Sequence, residues 1–150
     1  MLAGQLPHGT ERARTVAAHR LQRRSVEPGR DGQLRKAGRV ALAARGEAIG
    51  KAFVGSLTMG AGQFCTNPGI AVVIDGAGAD AFVQSAATAL QDVAEQVMLT
   101  DGIAEAFCAG RDKFKSAPSL RQVHVADSTG RNAAPALFET SGAEFKANPA

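Results

Sequence analysis

The order of patterns along this chain predicts an α/β protein built from parallel-type strands joined by crossover helices. Three observations carry that expectation. IAVVID (70–75) is a short apolar run with no polar alternation; two amphipathic helical stretches follow it; strand-like alternation then returns near residue 121. Strand, helix, helix and strand in succession is the pattern of a layered α/β unit.

The chain divides by composition before it divides by pattern. Residues 1–45 carry ten Lys or Arg against three acids, a net +7, whereas the remainder carries seven against eleven, a net −4. All seven phenylalanines lie beyond residue 50, and there is no Trp or Tyr. With few large apolar residues, and none recurring at helical or strand spacing, residues 1–40 are expected to be a disordered, basic, low-pattern segment. RARTVAAHRLQRR within it has the charge to touch phosphates but no interleaved aromatic residue, and an Arg-rich start also suggests an organellar transit peptide. Pro7, Gly9, Glu11 and the scarcity of serine weigh against the transit reading. Residues 41–150 form the expected folded part.

Regularity begins at Glu47. Ile49, Phe53, Leu57, Gly60/Ala61 and Phe64 recur at steps of three and four, which places them on one helix face. Glycines at 50, 55, 60 and 62 make this a poor helix by propensity, so it needs close tertiary packing. Asn67-Pro68-Gly69 then imposes a turn. After the 70–75 strand, Phe82, Ala86, Leu90, Val93 and Val97 mark a helix over about 79–96. Thr100 or Asp101 caps the next helix, with Ile103, Phe107, Gly110 and Phe114 as its stripe and Pro118 beyond its end. RQVHVA (121–126) and PALFET (135–140) read as strands, and Ser141 with Glu144 has capping-box spacing for a last short helix. His124 falls opposite the Val123/Val125 face, on the solvent side, and is a poor choice for a catalytic base.

Two cysteines, Cys65 and Cys108, show neither CxxC nor histidine at ligand spacing, so no metal is expected. No stretch is long and apolar enough to span a membrane, and the expected setting is cytoplasmic. Cys108 borders a helical stripe and reads as a small buried hydrophobe. Cys65, in GAGQFCTNPG (60–69), is open to two readings. One is a buried thiol filling space. The other is a nucleophile in a loop entering a strand, where open α/β sheets place their chemistry. A helix C-terminus disfavours a thiolate, and no His, Lys or Arg adjoins Cys65, so an activating base has to come from elsewhere in the chain. The glycines do not make a phosphate loop: GxGxxC follows a helix instead of opening one.

GQFCTNPG resembles the active-site cysteine segment of the aldehyde dehydrogenase superfamily. The longer stretch ALAARGEAIGKAFVGSLTMGAGQFCTNPGIAVVI is similar to bacterial α-ketoglutaric semialdehyde (2,5-dioxovalerate) dehydrogenases, and the likeness continues through VMLTDGIAEAF and AAPALFETSGAEFKANPA. It spans residues 41–150. The resemblance implies a partial aldehyde dehydrogenase catalytic domain with Cys65 as catalytic nucleophile. Cys65 would attack a small-molecule aldehyde to give a thiohemiacetal, hydride would pass to NADP (or NAD), and water would release the acid. The Cys65 backbone N–H would serve in the oxyanion hole. Family members are homo-oligomers, with no nucleic-acid or membrane partner expected.

Departures from the family are equally specific. The resemblance assigns no cofactor-binding residue within this chain, and the family's second oxyanion donor, an Asn, has no counterpart. The general-base Glu of an AEMGS-like motif is replaced by Gly29-Arg30-Asp31-Gly32-Gln33, and the chain stops at ANPA, before an EEVFGP-like motif. A fragment inactive by itself is therefore expected. Codons GCA GAG ATG GGC AGC, for Ala-Glu-Met-Gly-Ser, give Arg-Asp-Gly-Gln when read from the third base, which matches Arg30 to Gln33. Residues before about Ala41 are accordingly expected to be an out-of-frame reading. The competing reading is a non-enzymatic basic binding module or a gene remnant.

Overall fold

A computed structural model describes residues 13–18, 34–37 and 39–147. The order is β1 (Ala13–Ala18), β2 (Leu34–Ala37), α1 (Arg39–Thr58), a 3-10 turn (Met59–Gly62), β3 (Ile70–Ile74), α2 (Ala77–Gln91), β4 (Gln96–Val97), α3 (Asp101–Lys115), β5 (Arg121–Val125), β6 (Asn132–Ala133), β7 (Ala136–Ser141) and α4 (Gly142–Ala147). The α/β class expected from the sequence is present.

Strand direction corrects the sequence reading. The main sheet has the order β2-β3-β1-β7-β5, and a second, two-stranded sheet pairs β4 with β6. Only β2 and β3 are parallel; β1 runs antiparallel to β3 and to β7, and β5 antiparallel to β7. Strands β3 and β7 therefore point the same way, as crossover helices require, but they are not neighbours because β1 lies between them. An extra residue in β5 between Gln122 and His124 shifts its register against β7.

The expectation of disorder before residue 41 fails for residues 13–18 and 34–37; the remaining residues before Arg39 lie outside the described residues. Two causes hold β1. Val16 is fully buried among the core side chains. Arg14 lies between Asp75, Asp80 at 2.6 Å and Glu139 at 3.4 Å, so one cation answers three acids. Its guanidinium is held more firmly protonated than usual, chiefly by the Asp80 hydrogen bond. Arg121 also pairs with Glu139, which is otherwise buried. Counting apolar density in a basic segment does not reveal a charge match with residues sixty or more positions away.

The core follows from the helical stripes. Phe53, Leu57, Phe82, Leu90, Val73 and Leu137 belong to one buried cluster between the helices and the sheet. The rings of Phe53 and Phe82 meet at 5.5 Å between α1 and α2. These helices approach through glycine: a Cβ on Gly50 would stand 2.5 Å from the Phe82 carbonyl oxygen, and one on Gly78 2.6 Å from the Leu42 carbonyl carbon. The Ser85 hydroxyl donates across the same contact to the Glu47 carbonyl at 2.8 Å. Of the glycines at 50, 55, 60 and 62, Gly50 makes this close contact, Gly55 meets nothing within 4 Å, and Gly60 and Gly62 lie beyond the end of α1.

Three stripe assignments do not hold, the first being Gly60/Ala61, which lie in the turn beyond α1 at positive φ. Helix α1 ends at Thr58, so Phe64 leaves the face of Ile49 and Phe53 and is 51% exposed. Helix α2 ends at Gln91, and Val97 becomes an exposed strand residue. The caps fare better: Thr100 Oγ1 accepts from the Ile103 N–H at 3.2 Å, and Ser141 Oγ from the Glu144 N–H at 3.1 Å. Among the described residues, no helix is long and apolar enough to cross a membrane.

Candidate active site

The loop carrying Cys65 is built by backbone reversal, then locked by side-chain amides. Gly60, Ala61 and Gly62 all take positive φ, at 57°, 56° and 70°. Two are glycines, which enter that region freely; Ala61 carries a Cβ there, at a cost of about 1–2 kcal/mol. The reversal takes the chain out of α1 and sets Phe64 to Asn67 as a turn, in which the Asn67 N–H donates to the Phe64 carbonyl at 3.1 Å. Cys65 and Thr66 occupy the middle of that turn.

Three amide side chains hold this geometry. Asn67 is buried, 2% exposed, and its Nδ2 donates to the Leu57 carbonyl in the last turn of α1. This satisfies one of the carbonyls a helix leaves without a partner and ties the turn to the helix. Gln96 Oε1 accepts from the Ala61 N–H at 2.6 Å. Gln63 Oε1 accepts from the Leu99 N–H at 3.0 Å, while its Nε2 donates to the Gly60 carbonyl at 3.2 Å. None of these three was singled out in the sequence, since amides that bind backbone carry no motif. Asn67 directly before Pro68 marked a turn but not a buried donor.

The Cys65 thiol is free and exposed, which removes the buried-filler reading. Among the described residues its backbone N–H has no hydrogen-bond acceptor, in contrast to Gln63 and Asn67 on either side. Behind the loop lies a cavity of about 50 Å³, lined by Leu57, Gly62, Asn67, Met98, Phe107 and Ala134. Cys65 is not among the residues that line it. Cys108 is half-buried against the Met98–Phe107 cluster, in the packing role expected of it.

The segment facing the loop is anchored in turn. Glu95 accepts from the Thr129 N–H at 3.0 Å and from its hydroxyl at 2.7 Å, and these bonds hold its carboxyl below the usual range. Buried Arg111 donates to the Ala126 carbonyl at 3.2 Å and to Ser128 Oγ at 2.9 Å, fixing the chain that leads into β6. His124 lies on β5, half-buried, and burial pushes its pKa down. It is less solvent-facing than the alternation suggested, with Val123, His124 and Val125 all half-buried.

No set of three or more His, Cys, Asp or Glu side chains suits a metal ion among the described residues. Among the described residues a dinucleotide finds no fitting site either. The one strand-to-helix junction with a glycine pattern, GAGADA at 76–81, has Gly78 packed on the α1 backbone. Asp75 and Asp80 stand at that helix start, paired to Arg14, where phosphate charge would be repelled. Gly29 to Gln33, which stand in place of the family's AEMGS-like motif, lie outside the described residues.

Fold and site together define an α/β protein that offers an exposed cysteine on a rigidly held turn. No family model matches the chain. It is 47% identical over 112 residues to alpha-ketoglutaric semialdehyde dehydrogenase 2 of Azospirillum brasilense, covering 73% of this chain and 21% of that protein. It is 38% identical over 72 residues to alpha-ketoglutaric semialdehyde dehydrogenase of Acinetobacter baylyi, covering 48% of this chain and 14% of that protein. By this similarity the chain belongs to the aldehyde dehydrogenase family of oxidoreductases. It spans about a fifth of the length of the first of these relatives.

Proposed function

We propose that Cys65 is the nucleophile of an aldehyde dehydrogenase whose substrate is 2,5-dioxopentanoate (α-ketoglutaric semialdehyde) or a closely related aldehyde. The observation that carries this reading is the state of Cys65 itself: an exposed thiol in a turn whose own N–H is uncommitted. A continuous match over 73% of a 150-residue chain necessarily includes position 65, so the turn lies inside the segment shared with the Azospirillum relative. That relative's name supplies the aldehyde.

The chemistry assigned to these residues is addition. The Cys65 thiolate forms an S–C bond to the aldehyde carbon, and the carbonyl π electrons move to oxygen. The Cys65 N–H is placed on the same residue as the attacking sulfur, so it is available to stabilise that oxygen's charge without reorganising. Asn67 and the reversal at Gly60–Gly62 keep the turn from relaxing. NADP (or NAD) is the hydride acceptor that family membership implies, but the described residues form no site that fits it.

The chain by itself is expected to add 2,5-dioxopentanoate at Cys65 without turning it over with NADP+ or NAD+, so the aldehyde should slow alkylation of Cys65 and not of Cys108. Alkylation of Cys65 that the aldehyde leaves unchanged refutes the assignment. Salt-sensitive nucleic-acid binding, lost on deleting residues 1–40, would instead favour the basic binding module.

A further inference from the structure

The Cys65 loop and the 96–99 segment hold one another by reciprocal bonds. Gln96, in β4, reaches across to the backbone N–H of Ala61, while Gln63, in the loop, reaches back to the backbone N–H of Leu99. Each glutamine satisfies a donor on the other's strand of chain. The Gln96 bond falls on the residue that least favours its own conformation, the alanine at φ 56° between two glycines. Ala61 also packs against the Met98, Ala104 and Phe107 cluster, so its N–H and its methyl group are both held by the same side of the molecule. Strand β4 is itself fixed by pairing with β6, and the neighbouring Glu95 is bonded to Thr129.

We propose that Gln96 is a positioning residue for the thiol: by accepting from Ala61 it holds the left-handed reversal that sets the Cys65 turn. Gln63 is its counterpart, and the two act as one clasp. The proposal rests on the reading of Cys65 as nucleophile for its functional meaning, but not for its structure. An alanine at positive φ gains a reason to stay there only while its amide has a fixed acceptor. Without that acceptor the reversal relaxes toward ordinary φ, and the amide of Cys65 moves with it. A carboxylate at position 96 has an oxygen for the same bond, whereas a leucine fills similar space and accepts nothing.

The test uses the full chain with Gln96→Leu, Gln96→Glu and, as an independent variant, Gln63→Ala at the exposed partner. Amide hydrogen exchange at Ala61 and Leu99 is measured with the pH profile of Cys65 alkylation by iodoacetamide, resolved from Cys108 by peptide mass spectrometry. Gln96→Leu is expected to speed exchange at Ala61 about fivefold, the effect of one net hydrogen bond. Exchange at Leu99, which Gln96 does not touch, is expected to rise with it, and the alkylation profile to shift. Gln96→Glu restores all three, and Gln63→Ala reproduces the faster exchange at Ala61 from the other side. Wild-type exchange at Ala61 in both Gln96→Leu and Gln63→Ala, or no rescue by glutamate, overturns the clasp. Should 2,5-dioxopentanoate leave wild-type alkylation unchanged while the exchange results hold, the nucleophile reading falls and the clasp stands.

Discussion

The contact between α1 and α2 offers a prediction in which two effects of one substitution oppose each other. Replacing glycine by alanine inside a helix stabilises by about 1 kcal/mol, because glycine loses more backbone entropy on folding. At Gly55 a Cβ would meet nothing within 4 Å, so that gain stands alone. At Gly50 the same Cβ would lie 2.5 Å from the Phe82 carbonyl oxygen and 3.1 Å from the Ala86 nitrogen, both backbone atoms of a packed helix. Neither can rotate away, so the helices must separate, at a cost of about 1–3 kcal/mol for an overpacked core. Gly55→Ala should therefore raise stability by about 1 kcal/mol, and Gly50→Ala should be neutral to about 2 kcal/mol destabilising. The propensity term is common to both, so their difference, about 1–3 kcal/mol, isolates the close approach. Urea denaturation of each variant at constant m reads that difference, and thermal midpoints should part by about 2–4 °C per kcal/mol. Equal stabilisation by both variants would refute the glycine-mediated packing and with it the support of α1 beneath the Cys65 loop.

Three further outcomes follow from individual contacts. Arg14→Gln removes the cation shared by Asp75, Asp80 and buried Glu139, and should cost about 1–2 kcal/mol in urea denaturation, more than an exposed pair alone is worth. His124 is held below its ordinary value of 6.5 by burial, so the unfolded chain binds that proton more readily than the folded one. Its contribution is intact above 6.5 and is lost as pH falls toward the lowered value, so His124→Leu should flatten the stability profile below about pH 6.5. Thr100→Ala removes the acceptor for the Ile103 N–H and should cost about 1 kcal/mol, seen as a lower thermal midpoint with α3 otherwise unchanged by circular dichroism.

The helices and their caps were legible in the sequence because each depends on neighbours three and four residues away. Phe82, Ala86 and Leu90 are buried as their spacing required, and Thr100 caps as its position required. Sheet order was not legible. β1 owes its place to Arg14 and Val16 meeting residues from β3, α2 and β7, and a basic, pattern-poor segment gives no local sign of such a match. At the site, Cys65 could be singled out by its turn and by a family resemblance. The clasp of Gln63 and Gln96 could not, since it joins side chains to backbone amides 35 and 36 residues apart. Phe64 was misplaced for a related reason: helical spacing was extended through Gly60 to Gly62, where positive φ ends it.

The measurement closest to the central claim is aldehyde protection of the two cysteines. The full chain is alkylated with iodoacetamide in the presence and absence of 2,5-dioxopentanoate, and modification of Cys65 and Cys108 is followed separately by peptide mass spectrometry. A thiohemiacetal at Cys65 occupies the sulfur that alkylation needs, so the aldehyde is predicted to slow modification of Cys65 in a saturable manner and to leave Cys108 unchanged. Equal rates at Cys65 with and without the aldehyde, or equal protection of both cysteines, would contradict the assignment of Cys65 as nucleophile.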